Sequence, residues 1–143
     1  MKVKYWIPTI VILIFIWGNS ALNGSISESI SSFIQYVLTG QDIDMIILTG
    51  SGHLLRKIAH FSEYLALSMA LAYGYHHDHH GKTILHLWSL FLLVAPLDEF
   101  IQRFSDGRNA SINDVILDWS GYIIGCIIAL LILNRIKHHK TDH

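Results

Sequence analysis

The sequence predicts an all-α membrane protein, with four transmembrane helices and a short amphipathic outer helix. Three observations point to this fold class. Of the 143 residues, 52% are hydrophobic and only 15% charged, whereas a typical soluble domain carries roughly 25% charged residues. The apolar residues gather into four stretches of about the length of a span. Three of these stretches carry polar residues at one end only, and an up-and-down order brings those ends together. The composition also excludes other classes. Ten Lys plus Arg against eleven Asp plus Glu give a net charge of −1, without the basic excess of a nucleic-acid binder. The single cysteine, Cys126, excludes an intrachain disulfide framework.

Residues 1–22 hold the first predicted span. Thirteen uncharged residues run from Tyr5 to Trp17, and the stretch extends through Asn19, Ser20 and Ala21 to Leu22. At about 1.5 Å per residue such a helix nearly crosses a hydrocarbon core of about 30 Å. Lys2 and Lys4 precede it, and Tyr5, Trp6 and Trp17 stand where interfacial anchors belong. A cleaved signal peptide has the same basic start, but Asn19-Ser20-Ala21 makes a poor small-x-small cleavage site.

Residues 23–52 form the predicted extracytoplasmic segment. Ile26, Ile30, Phe33, Ile34, Val37 and Leu38 recur at helical spacing, while Ser27, Ser31, Ser32 and Gln35 occupy other faces. This pattern predicts an amphipathic helix on the outer membrane surface or capping the bundle. A re-entrant or lid element, or a loop that merely packs, fits it too. The apolar patch Met45 to Leu48 is too short to span.

Residues 53–134 form a predicted three-helix core, followed by a basic cytoplasmic tail at 135–143. The second stretch runs from about His53 to Tyr73, with Arg56, Lys57, His60 and Glu63 in its first half. The third runs from about Ile84 to Phe104, with Asp98, Glu99, Gln102 and Arg103 near its end. Pro96 predicts a bend just before that polar end. The fourth runs from about Val115 to Leu133, broken by Asp118, Gly121 and Gly125. Gly121 and Gly125 make a Gly-x-x-x-Gly pair that permits close helix contact, within one chain or between copies in a homo-oligomer.

Basic residues give the orientation. With four spans, Lys2, Lys4, Lys82, Arg135, Lys137 and Lys140 fall on one side, against Arg56, Lys57, Arg103 and Arg108 on the other. The second side also holds nine of the eleven acids. The positive-inside rule therefore predicts a multi-pass protein of the cell membrane with both termini cytoplasmic.

The polar ends then converge on the outer leaflet. Arg56, His60 and Glu63 share a helix face at i, i+4 and i+7, Asp98 and Gln102 at i+4, and Asp114 and Asp118 at i+4. Charged groups in hydrocarbon cost several kcal/mol unless paired or hydrated, so they face a bundle interior or a wet cavity. The functional reading is a polar pocket opening outward. The structural alternatives are buried salt bridges, such as Arg56 with Glu63 and Arg103 with Asp98, or side chains reaching to headgroups. In the turn-rich connection 105–114, Ser111 and Asp114 have the spacing of an approximate capping box. Arg108, above the pocket, is suited to grip phosphate or carboxylate. His76, His77, His79 and His80, joined by His138, His139 and His143, could bind a transition-metal ion, but without a fixed ligand spacing they read first as solvated loop and tail residues with incidental metal affinity.

Arg56-Lys57-Ile58-Ala59-His60-Phe61-Ser62-Glu63-Tyr64, followed by Asp98-Glu99-Phe100-Ile101-Gln102-Arg103-Phe104 and Gly107-Arg108, resembles the VanZ-like family of bacterial membrane proteins. Ser111, Asp114-Val115 and Gly121 extend the resemblance, which covers about Leu54 to Leu133. The family usually has Asn before its Gly near the final Asp; Asp118 stands at that position, keeping a polar group and adding charge. The resemblance implies a mainly helical integral membrane protein whose family founder is associated with resistance to the glycopeptide teicoplanin. It implies no agreed reaction.

Three functions fit these residues. As an enzyme on a lipid-linked substrate, the chain would use His60, Glu63 and Glu99 as catalytic groups, with His60 as acid or base. A divalent cation suits the carboxylates of Glu63, Asp98, Glu99, Asp114 and Asp118 with His60 as a nitrogen ligand. Arg56, Lys57 and Arg108 would hold phosphate. As a binding protein, the chain would use Arg56, Lys57, Asp98, Gln102, Arg103, Arg108, Asp114 and Asp118 to recognise membrane lipid, a lipid-linked cell-wall precursor or a glycopeptide. As a transporter it would need oligomerisation to complete a path. Cys126 reads as a small buried hydrophobe, not a nucleophile.

Overall fold

The computed structural model describes residues 3–22, 24–40, 42, 51–78, 83–104 and 111–141, with side chains except at 51–53, 78, 83–92 and 137–141. Among the described residues a 3-10 turn, Val3–Tyr5, leads into five helices: α1 (Ile7–Ser20), α2 (Gly24–Thr39), α3 (Ser51–Asp78), α4 (Thr83–Gln102) and α5 (Ile112–Thr141). No strand occurs among the described residues. The patch Met45 to Leu48 and Arg108 with its turn lie outside them.

Local chemistry sets the helix ends. Pro8 falls in the first turn of α1, where a missing N–H has no intrahelical acceptor to lose. The helix is 14 residues long, about 21 Å, shorter than the stretch from Tyr5 to Leu22. The chain then turns through 111° into α2. Gly40 stops α2: its φ of 68° is left-handed, and its N–H reaches the Tyr36 carbonyl at 2.8 Å. Ser111 caps α5, its Oγ accepting the Asn113 N–H at 3.2 Å. α4 continues through Pro96 without interruption.

The central helix is α3. It packs against α1, α2, α4 and, most extensively, α5. Glycine makes the α3–α5 contact close. A Cβ on Gly121 would overlap the carbonyl oxygen of Phe61, and one on Gly125 would overlap Ser68 Oγ and the Leu65 carbonyl oxygen. The Gly-x-x-x-Gly pair thus serves packing within the chain. Around this seam Ile16, Tyr64, Leu67, Leu71, Val94, Ala95 and Tyr122 form the core.

The outer surface is inverted relative to a water-soluble protein. On α2, Ser27, Ser31 and Ser32 are buried, while Ile26, Ile30, Phe33, Ile34, Val37 and Leu38 are exposed. The amphipathic helix expected in this segment is present, and its serines, not its apolar residues, face the protein. Ser31 Oγ donates to the Ser27 carbonyl at 2.9 Å, so that hydroxyl is satisfied within its own helix. On α5, an 18-residue window within the stretch Ile112–Ile136 reaches a mean hydropathy of 2.2, and only 28% of that window is buried within the protein. Ile123, Ile124, Ile127 and Leu131 point outward. So much uncovered apolar surface calls for lipid. Among the described residues, α5 alone is long and apolar enough to cross a membrane, and α1 with α2 make a second candidate if taken as one bent span. The protein is a membrane-associated helical protein with at least one helix of transmembrane length.

Candidate functional site

Four helices bring polar side chains together near the start of α3, the end of α4 and the start of α5. His60, Asp98 and Asp118, one from each of these three helices, offer ligand atoms that all lie within 4.8 Å of one another. All three are buried: His60 is 8% exposed, Asp98 0% and Asp118 1%. Helical period explains the placement. His60 lies one turn before Tyr64 on the inward face of α3, and Asp118 lies one turn before Tyr122 on that of α5, both tyrosines being core residues.

Neighbouring groups hold the cluster. Gln102 Nε2 donates to Asp98 Oδ2 at 3.0 Å, the i, i+4 pairing expected from sequence. The same nitrogen lies 3.3 Å from Ser20 Oγ at the end of α1. The Tyr64 hydroxyl donates to the Val94 carbonyl at 3.5 Å and stands beside the Asp98 carboxylate. Glu63 Oε2 is 3.6 Å from His60 Nδ1, and Glu63 Oε1 accepts from Asn19 Nδ2 at 3.2 Å. Asp118 Oδ1 is buried with no hydrogen-bond partner among the described residues. A buried carboxylate costs several kcal/mol unless a cation, a proton or donors compensate it.

The other candidate residues have separate surroundings. Glu99, 7% exposed, accepts the backbone N–H of Ser111 through Oε1. That is the donor a capping box would have given to Asp114; Asp114 instead faces Lys57 Nζ at 3.7 Å, in a pair whose side chains are 28% and 40% exposed. Arg56 is half-buried on α3, and Arg103 is exposed just beyond α4. The alternative salt bridge of Arg103 with Asp98 is replaced by the Gln102–Asp98 bond. Beside the cluster runs an open groove of about 300 Å³, lined by Pro96, Glu99, Phe100, Arg103, Ser111, Ile112 and Val115.

Sequence reasoning missed Asn19 and Ser20, which it treated as the end of a span. The available signal was two polar residues closing an otherwise apolar stretch. Tyr64 was also unassigned. At the opposite end of α3, His77 stacks on Tyr5 at 4.8 Å and packs against Tyr73 at 4.3 Å. Its Nδ1 lies 2.9 Å from the Tyr73 carbonyl, so packing accounts for it.

A helical membrane-associated protein with a buried His–Asp–Asp cluster at one end is the class these features define. The chain matches the VanZ/LLP1 family model over residues 5–133 and belongs to that family. No curated protein and no solved structure matches it.

Proposed function

We propose that the chain crosses the membrane four times with both termini in the cytoplasm. On that topology it binds the polar headgroup of a cell-envelope lipid or lipid-linked peptidoglycan precursor at the outer leaflet. The observation that carries this reading is the groove beside the cluster. Pro96, Phe100, Ile112 and Val115 give it an apolar wall, and Arg103, Glu99 and Ser111 give it a polar one. Such a wall pair suits an amphiphile whose tail lies along the helices and whose anionic head meets Arg103. The basic-residue bias supports placing this end outside. Binding is favoured over transport because the cluster and its supporting hydrogen bonds gather at one end of the helices. A cell-envelope ligand fits the association of the VanZ-like family with teicoplanin resistance.

Mass spectrometry of lipids retained by the protein purified in mild detergent tests the reading. Wild type is expected to enrich one anionic species over the bulk lipid, and Arg103→Ala to lose most of that enrichment. Retention of unselected bulk lipid by both would overturn it. A new lipid product formed by wild type and not by His60→Ala would replace binding with catalysis.

A further inference from the structure

We propose that His60, Asp98 and Asp118 form a binding site for one divalent first-row transition-metal ion. The three donors come from α3, α4 and α5 and lie within 4.8 Å of one another. Donors to such an ion stand about 2.0–2.2 Å from it, so a small inward adjustment of the side chains seats it between them. Two carboxylates supply the charge that a divalent ion neutralises.

A second, independent observation points to a missing ligand. Asp118 is 1% exposed, and its Oδ1 has no hydrogen-bond partner among the described residues. The surroundings are those of a metal site beyond its direct ligands. Metal-binding carboxylates and imidazoles are oriented by hydrogen-bonding neighbours. Gln102 donates to Asp98 at 3.0 Å, Tyr64 stands beside the same carboxylate, and Glu63 Oε2 faces His60 Nδ1 at 3.6 Å.

The donor set selects the class of ion. Calcium and magnesium favour shells made of oxygen, so an imidazole nitrogen weighs against them. One nitrogen with two oxygens and no thiolate suits Mn²⁺, Fe²⁺ or Zn²⁺. Three protein ligands leave positions for water or for an oxygen of an anionic headgroup. The site does not depend on the lipid reading. Where both hold, the ion lets an acidic cluster accept an anionic ligand.

Manganese binding to the full chain in detergent micelles, after chelator treatment, tests the proposal. The background replaces His79, His80, His138, His139 and His143 with Gln, to remove adventitious ligands. Equilibrium dialysis is expected to give one saturable equivalent of Mn²⁺, with nitrogen coupling from a single imidazole in its paramagnetic resonance spectrum. Asp118→Asn and His60→Gln should each weaken binding at least ten-fold, His60→Gln also removing the nitrogen coupling, while Glu28→Gln, exposed on α2, leaves binding unchanged. No saturable Mn²⁺ binding, or undiminished binding by folded Asp118→Asn, overturns the proposal and leaves a shared proton between the aspartates. If Asp118→Asn does not fold, the spectrum decides: a coupling lost in His60→Gln supports the site, and a coupling that persists overturns it.

Discussion

Gln102 Nε2 reaches Ser20 Oγ at 3.3 Å, joining the end of α4 to the end of α1 across 82 residues of sequence. Because the same nitrogen holds Asp98 Oδ2 at 3.0 Å, α1 is part of the scaffold of the cluster. Ser20→Ala should cost about 1 kcal/mol of stability, the usual net worth of one hydrogen bond. A double-mutant cycle with Gln102→Ala, read by reversible unfolding in micelles, should show coupling of about 0.5–1 kcal/mol. Strict additivity would remove Ser20 from the network.

The α3–α5 seam predicts unequal glycine substitutions. A Cβ at Gly121 meets the backbone carbonyl of Phe61, which no rotamer change can move aside, whereas one at Gly18 meets nothing within 4 Å. Gly121→Ala should lose about 1–3 kcal/mol by overpacking. Gly18→Ala should be neutral or gain up to about 1 kcal/mol from reduced backbone entropy. Thermal denaturation of the two variants in the same detergent compares them directly.

The start of α5 has two supports. Ser111→Ala removes the acceptor for the Asn113 N–H and should cost about 1 kcal/mol, as cap losses do. Glu99→Ala removes the acceptor for the Ser111 N–H and should cost about 1.5–3 kcal/mol, the range for a charged hydrogen bond. Glu99→Gln keeps an oxygen acceptor and should fall between wild type and Glu99→Ala in a chemical unfolding series.

Lys57 and Asp114 make a partly exposed pair at 3.7 Å. Lys57→Ala should therefore change stability by less than about 1 kcal/mol, and the difference should shrink at high salt. A larger, salt-independent loss would mean the pair is desolvated by lipid or by another chain.

The inverted α2 predicts a labelling pattern. In a Cys126→Ser background, a fluorophore on Phe33→Cys should be quenched by a lipid-soluble nitroxide. Ser32→Cys, on the buried face, should react slowly with the same maleimide reagent. Fast labelling of Ser32→Cys with no lipid quenching at position 33 would place the serine face toward water.

The helices of the core were legible in the sequence because period and apolar length act locally. The expected stretch from His53 to Tyr73 lies within α3, and that from Ile84 to Phe104 differs from α4 only at its ends. The Asp98–Gln102 pairing followed from spacing alone. The orientation of α2 did not, because periodicity separates two faces without saying which one meets protein. Asn19 and Ser20 were hidden for a different reason: their partners Glu63 and Gln102 lie 44 and 82 residues away. Glu99 was expected beside His60 as a reacting group, and its bond to Ser111 required knowing how the connection after α4 returns.

A ribosome makes α5 last among these helices, and that order bears on the cluster. His60 and Asp98 are both made before Asp118, so the nascent chain passes through a stage at which the polar assembly is incomplete. Only when Gly121 and Gly125 dock on α3 does Asp118 arrive one turn away. The seam is thus a late latch in biogenesis. A chain stalled before it would show insertases and membrane proteases an unfinished polar notch, a chemical mark by which an incomplete copy can be told from a finished one.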